Sequence, residues 1–207
     1  MKESMVRNSH ATWMFAIILG VTLIGCGGQQ QETGGQTSDT GQMEQPSLFS
    51  DLNSAVSVIH PASGEDVSGT VLFTKESNGI RIQANITGLS EGEHGFHIHE
   101  YGDCSADDLT SAGGHYNPLD MPHGAPDSEK RHVGDLGNIT ASAEAATYNR
   151  VDTVITFTGE PSIVGRAVVL HAGQDDLSSQ PSGAAGNRVG CGTIGIANPN
   201  TSINPGG

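Results

Sequence analysis

Histidines are concentrated in one short part of this chain. Six of the nine lie between residues 94 and 135, and several have the spacing of metal ligands. His97 and His99 are two residues apart, so on a β-strand their imidazoles point to the same face and can reach one metal ion. Further along, three more histidines are followed by a carboxylate: His115, His123, His132 and Asp135. Imidazoles with one carboxylate form a plausible tetrahedral zinc set, and sets of imidazoles alone also suit copper.

One further histidine, His171, follows the apolar run 167–170 and is therefore expected at the end of a strand. From that position it can join His97 and His99. The alternative is a set of unconnected surface histidines in a polar loop. Seven ligand-type residues arranged in this way favour a metal site over that alternative.

Short strands are the elements expected to position these side chains. Hydrophobic residues make up 35% of the chain and aromatic residues 4%, with 29 glycines, which favours many short strands over a helical bundle. Strands are predicted at 80–87, where apolar and polar residues alternate, and at 55–59, 69–74, 153–158, 166–171 and 189–196. The predicted fold class is all-β, an antiparallel sandwich or barrel. The segment 102–136 interrupts this rhythm, and a histidine-rich loop of that length is expected to be functional.

The N-terminal segment has the features of a targeting signal. Lys2 and Arg7 precede an apolar run, 13–24, which is too short to span a bilayer. The run ends in Leu-Ile-Gly-Cys, which resembles the lipobox of bacterial lipoproteins and implies cleavage before Cys26 and lipidation of its sulfur. An uncleaved membrane anchor is the alternative, and both interpretations place the domain outside the cytoplasm. The predicted organisation is a signal peptide (1–25), a lipidated cysteine with a flexible linker (26–52), a folded domain (53–197) and a flexible tail (198–207).

The charge balance excludes one class of partner. Nine Lys and Arg stand against 23 Asp and Glu, giving a formal net charge of −14. No basic footprint for nucleic acid is visible, so no nucleic-acid partner is expected. An acidic surface also repels small anions, so an anionic substrate requires a local positive focus.

The cysteine count fits an oxidising compartment. If lipid occupies Cys26, the two remaining cysteines, Cys104 and Cys191, form an even pair. A bridge between them would close a long loop and stabilise the fold by roughly 3–5 kcal/mol in the chain-entropy model. Two unpaired buried thiols are the alternative.

Several segments, taken in order, resemble the signatures of the Cu,Zn superoxide dismutase family. They are Gly95-Phe-His-Ile-His-Glu100, Gly113-Gly-His-Tyr-Asn-Pro118, Arg131-His-Val-Gly-Asp-Leu-Gly-Asn138, Val169-Leu-His171 and Asn187-Arg-Val-Gly-Cys-Gly192. The resemblance runs from about residue 55 to residue 197. It implies a Greek-key antiparallel β-sandwich or flattened barrel with a long metal-binding loop. It also implies an enzyme that converts superoxide into dioxygen and hydrogen peroxide with copper and zinc.

The resemblance also implies roles for individual residues. Copper would be held by His97, His99, His115 and His171, and zinc by His115, His123, His132 and Asp135. His115 would then be a bridging imidazolate and a catalytic group. Arg188 would position the superoxide anion beside copper, Asp175 would link His97 to His123, and Cys104 and Cys191 would form the intrachain disulfide.

The implied setting is extracytoplasmic. The protein is expected to be attached to a bacterial membrane, in the periplasm or at the cell surface, and to protect the cell envelope from superoxide. A homodimer is one of the states that the family adopts. The stretch 175–188 is short and holds no Lys or Glu, so long-range electrostatic guidance of superoxide is expected to be weak.

Two other functions compete with this interpretation. A copper carrier on the same fold would typically lack a copper ligand or the arginine, and both are present here. A zinc hydrolase would need a free carboxylate base beside an open zinc position, and the cluster offers no spare Glu at suitable spacing.

Overall fold

The computed structural model describes residues 51–143 and 145–199. The predicted signal peptide, Cys26, the linker up to residue 50 and the tail from residue 200 lie outside the described residues. The described part contains eight strands and one short 3₁₀ helix, Thr110–Ala112. The strands are β1 (Ser54–Pro61), β2 (Ser68–Glu76), β3 (Gly79–Thr87), β4 (Gly92–His99), β5 (Asp135–Ala141), β6 (Ala146–Asp152), β7 (Ala167–His171) and β8 (Arg188–Ile196).

All neighbouring strands pair antiparallel and close into a barrel in the order β1-β2-β3-β6-β5-β4-β7-β8. β3 pairs with β6, and β4 pairs with β7, so two connections cross the barrel as in Greek keys. The predicted all-β barrel with a long loop is confirmed. Over residues 51–199, leaving out residue 144, no helix has the length and apolar character needed to cross a membrane.

The barrel interior is filled by alternate residues of the strands. In β3 every second residue from Ile80 to Ile86 is buried and the intervening residues are partly exposed, as the alternation predicts. Phe73, Ile82 and Phe96 are fully buried in the same apolar cluster. Each large apolar side chain removed from water in this way contributes roughly 1.5–3 kcal/mol.

Strand β4 serves both the core and the surface that carries the histidines. Phe96 and Ile98 belong to the apolar core, whereas His97 and His99 alternate with them and therefore point to the opposite face. Both histidines are nevertheless buried. The histidine face of β4 is therefore covered by other parts of the chain.

One strand prediction is wrong. Residues 153–158 form no strand, and the strand in this region is β6, directly before them. Asp152 ends β6, because its Oδ1 accepts hydrogen bonds from the N–H groups of Val154 and Ile155. β6 escaped detection because the positions paired with the buried isoleucines of β3 include Arg150 and Asp152 instead of apolar residues.

Candidate metal centre

Four histidines come together at the ends of β4 and β7. β7 pairs with β4, which brings His171 next to His97 and His99, and an isolated bridge pairs His99 with His115. Each of the four offers one ring nitrogen, and these nitrogens all lie within 4.8 Å of one another. The structure thus assembles the all-imidazole set that the family resemblance implies for copper.

A second set shares His115 with the first. His115, His123, His132 and Asp135 offer ligand atoms that again lie within 4.8 Å of one another. The Oδ1 atom of Asp135 is 2.8 Å from His115 Nδ1, 3.0 Å from His123 Nδ1 and 3.2 Å from His132 Nδ1. Three imidazoles and one carboxylate are a donor set that zinc accepts.

Unpartnered nitrogens show that these residues suit metal ions. His97 Nδ1, His115 Nε2, His123 Nδ1 and His132 Nδ1 are buried and have no hydrogen-bond partner among the residues that the structure describes. Buried polar atoms in native proteins are almost always hydrogen-bonded, so four such atoms in two adjacent clusters require an explanation. Coordination of a cation by their lone pairs would satisfy all four.

Hydrogen bonds to the remote nitrogens fix the tautomers of the copper-set histidines. His99 Nδ1 is 2.9 Å from the Gly113 carbonyl oxygen, and His171 Nδ1 is 3.0 Å from that of Gly186. A carbonyl oxygen only accepts, so each Nδ1–H donates and each Nε2 keeps its lone pair. Such bonds also hold the rings in place.

Asp175 connects the two sets. It lies in the β7–β8 loop (residues 172–187), and its carboxylate accepts from His97 Nε2 at 2.7 Å and from His123 Nε2 at 3.0 Å. Asn138 holds the backbone of Asp175 through two hydrogen bonds of 2.7 and 2.9 Å. Gly183 packs so closely on this carboxylate that an added Cβ would lie 1.7 Å from Asp175 Oδ1.

Burial sets the protonation of the copper-set histidines. Desolvation lowers the pKa of His97 to about 3 and that of His171 to about 4. Desolvation also lowers the pKa values of His99 and His115. These rings are therefore neutral near pH 7, which is the form that binds metal.

At His123 two neighbouring carboxylates raise the pKa, whereas burial lowers the pKa values of the copper-set histidines. Burial lowers the pKa of His123 too, but the nearby carboxylates of Asp135 and Asp175 outweigh burial and raise the pKa to about 9. Burial raises the pKa of Asp135, but the three neighbouring histidines outweigh it and hold that pKa well below its usual range. Asp135 is therefore ionised, as a zinc ligand must be.

Arg188 stands beside the copper set. It is the first residue of β8, pairs with His171 and donates to the carbonyl oxygens of Leu109 at 2.6 Å and Gly113 at 2.5 Å. His99, His171 and Arg188 line one cavity of about 410 Å³. Burial lowers the pKa of the guanidinium, but a guanidinium remains charged in proteins. The cavity thus contains a fixed positive charge.

The predicted disulfide is confirmed. Cys104 and Cys191 are bonded, with 5.8 Å between their Cα atoms. Cys191 is fully buried in a small apolar cluster that also contains Leu109 and Val169. The bond therefore ties the β4–β5 loop (residues 100–134), which carries His115, His123 and His132, to β8.

Sequence reasoning missed the role of Arg131. This buried arginine donates from Nη1 to the carbonyl oxygens of His132, Val133 and Asp135, and from Nη2 to Asp152 at 2.5 Å. It therefore holds the turn that carries His132 and Asp135 against β6. The residue lies inside a motif that was recognised, but its partner Asp152 is 21 residues away and no local pattern identifies it.

Comparison with known proteins agrees with this geometry. Residues 67–194 match the family model for copper/zinc superoxide dismutase, so this chain belongs to that family. It is accordingly a superoxide dismutase, an oxidoreductase that uses copper and zinc.

A solved structure described as a crystal structure analysis of the clock protein EA4 is also similar. It is 42% identical in sequence, and the match covers 72% of this chain and 98% of that chain with a TM-score of 0.66.

Proposed function

We propose that this protein dismutates superoxide outside the cytoplasm, with His115 shared between a copper and a zinc ion. Copper would be held by His97, His99, His115 and His171, and zinc by His115, His123, His132 and Asp135. The observation that carries this proposal is the membership of His115 in both ligand sets. Its Nδ1 lies beside Asp135, and its Nε2 is buried with no hydrogen-bond partner in the described part of the chain.

The overall reaction consumes two superoxide anions and two protons and gives one dioxygen and one hydrogen peroxide. When bound, copper supplies the one-electron oxidation and reduction that this reaction needs, and zinc supplies a fixed charge without redox chemistry. Arg188 binds the diatomic anion, because its guanidinium is a planar donor held rigidly at the cavity. Two backbone carbonyls fix the guanidinium, so little reorganisation is required when the anion arrives.

His115 also lines the cavity and can hold a proton at Nε2 between the two halves of the reaction. Its Nδ1 is engaged on the Asp135 side, so Nε2 is the atom available for this role. Solvent that enters the same cavity provides the second proton of peroxide.

Two features support an extracytoplasmic, membrane-attached location. The N-terminal basic and apolar segments followed by Cys26 have the pattern of a lipoprotein signal. A disulfide is stable in an oxidising compartment and rare in the cytosol. We infer lipid attachment at Cys26, while homodimer formation stays a prediction.

Both oxygens of Asp135 argue against hydrolysis at the zinc set. Oδ1 faces three histidines, and Oδ2 accepts from the N–H groups of Gly124 and His132. The second nearby carboxylate, Asp175, is occupied by two histidines. Neither is free to act as a general base toward a water molecule.

The test uses the full chain purified with copper and zinc and assayed against a constant superoxide flux. We expect one copper and one zinc per chain and rapid removal of superoxide. An Arg188→Ala variant should retain both metals and lose roughly tenfold or more in kcat/KM, because the positive focus is removed. Full metal content without turnover would contradict the proposal and favour a copper carrier.

The location is tested separately with a Cys26→Ser variant expressed in a bacterium. The wild-type protein should take up labelled fatty acid, whereas the variant should not. Equal labelling of both proteins would contradict lipid attachment at this cysteine.

A further inference from the structure

The β7–β8 loop contacts the zinc set at a second place besides Asp175. The side-chain amide of Gln180 donates from Nε2 to the carbonyl oxygen of His123 at 3.0 Å. Its Oε1 accepts from the backbone N–H of His123 at 2.8 Å. One side chain thus pairs with both backbone polar groups of a zinc-set residue, as the backbone of an adjacent strand would.

This pairing matters because His123 lies in a stretch of the β4–β5 loop that forms neither strand nor helix. Among the described residues, no other hydrogen bond involves its backbone N–H or carbonyl oxygen. His123 is buried, so loss of the amide would leave two backbone groups without partners in a place that water reaches poorly. The segment would then be expected to shift until water could satisfy these groups.

The loop that carries Gln180 is itself firmly held. Gly183 donates from its N–H to the Ser179 carbonyl oxygen at 2.7 Å, and Asp176 donates to that of Gly183 at 2.8 Å. At the base of the loop, Gly173 bonds to Gly95 of β4 and to Ala185 across the loop. Because this loop is bonded to β4 at its base, Gln180 gives His123 a contact that does not depend on the hydrogen bonds within the β4–β5 loop.

We propose that Gln180 is a positioning residue for the zinc set, which orients His123 through its backbone while Asp175 orients the same residue through its ring. The hydrogen bond with Asp175 fixes the orientation of the imidazole through Nε2, and the two hydrogen bonds with Gln180 fix the position of the His123 backbone. Together they determine how the unpartnered Nδ1 is presented beside Asp135. This inference rests on the proposed zinc role of His123.

The test compares the full wild-type chain with Gln180→Ala and Gln180→Glu variants, each loaded with copper and zinc. The main readout is the rate of zinc release to a coloured chelator. Mutation of a residue that bonds to a metal ligand typically lowers metal affinity by 10–100-fold. We therefore expect zinc release from Gln180→Ala to be about tenfold faster than from the wild type. Glu can accept from the His123 N–H but, when ionised, cannot donate to its carbonyl, so its release rate should lie between the other two.

A spectroscopic readout separates positioning from general loosening. Cobalt(II) placed in the zinc site reports ligand geometry through its visible absorption, which should change in Gln180→Ala. Gln174→Ala is the matched control, because Gln174 lies in the same loop and, within the described residues, its amide bonds only to Glu93 at the surface. That control should keep the wild-type release rate and the wild-type spectrum.

Each outcome bears on the proposal. Wild-type zinc release and an unchanged cobalt spectrum in Gln180→Ala would overturn it, even if the wild-type enzyme is fully active. If Gln180→Ala does not fold, the Glu variant decides, and zinc release as slow as in the wild type would overturn the proposal. A wild-type chain that is soluble but takes up no zinc would overturn both this inference and the proposed function.

Discussion

The disulfide between Cys104 and Cys191 should supply a large part of the stability of the metal-free domain. The bond joins residues 87 apart, and in the chain-entropy model closure of such a loop is worth about 4.6 kcal/mol at 25 °C. Domains of this size have total stabilities of about 5–15 kcal/mol. A Cys104→Ser variant should therefore lose at least about 30% of its free energy of unfolding, while Cys191 remains a small buried thiol.

Loss of the disulfide should also affect the position of Arg188 at the candidate metal centre. Leu109 and Gly113, whose carbonyl oxygens hold the guanidinium of Arg188, belong to the loop that the disulfide tethers. When that loop is freer, the guanidinium loses its fixed position. We therefore expect kcat/KM for superoxide to fall in Cys104→Ser even under conditions in which the variant is fully folded.

The assay is urea unfolding of the metal-free chain, followed by circular dichroism, with and without reductant. Reductant should bring the wild-type curve onto that of Cys104→Ser and leave the variant unchanged, which serves as the control. A difference below about 1 kcal/mol between oxidised and reduced wild type would refute the loop-closure argument. It would mean that the reduced chain keeps the β4–β5 loop in place by other contacts.

Three further predictions concern packing, pH and salt. Gly183→Ala should destabilise the domain by about 1–3 kcal/mol and lower its zinc content, because the new methyl group would overlap Asp175. Gly186→Ala, which also has a positive φ but meets nothing within 4 Å, is the control, and equal losses in both variants would contradict the overlap. Burial lowers the pKa of His171 to about 4, so its contribution to the stability of the metal-free chain is present above pH 6.5 and is lost as the pH falls toward 4. Urea unfolding at pH 7, 5.5 and 4.5 should show the free energy of unfolding of the wild-type chain falling by up to about 3 kcal/mol. The fall should be smaller in His171→Gln, and an equal fall in both chains would argue against His171 as its cause. Asp108 lines a surface cavity together with Arg188 and interacts electrostatically with its guanidinium. A charge roughly 10 Å away in water contributes about 0.4 kcal/mol, so Asp108→Asn should raise the superoxide rate about twofold at low salt. Added salt should remove this gain, and a rate independent of residue 108 would show that the charge of Asp108 does not influence the approach of superoxide.

The histidine sets could be predicted because their signal is local or familiar. The two-residue spacing of His97 and His99 predicts that they share a face, and the alternation in β3 predicts a half-buried strand. Both features follow from the two-residue period of extended chain. Asp175, in contrast, was assigned only through resemblance, since nothing around it in the sequence indicates that it lies between two histidines.

Other contacts left no sequence signal. Gln180 has the composition of an ordinary polar loop residue, and its partner is 57 positions away. Arg131, in the β4–β5 loop, and Asp152, in β6, form a buried ion pair. Because Asp152 is charged at a buried position, β6 lacks the apolar alternation that would have predicted it as a strand. Contacts of this kind depend on the folded topology. The targeting signal, Cys26 and the linker up to residue 50 stay predictions.

The two-sided character of β4 has a consequence for how this protein can change. Aromatic and aliphatic side chains on one side of the strand complete the barrel, and imidazoles on the other side complete the metal centre. The interior is therefore filled whether or not ions are bound, and the chain can acquire its shape before its metals. Evolution or a protein engineer can alter the chemistry on the outer wall of such a barrel, one ligand at a time, without repacking what lies inside.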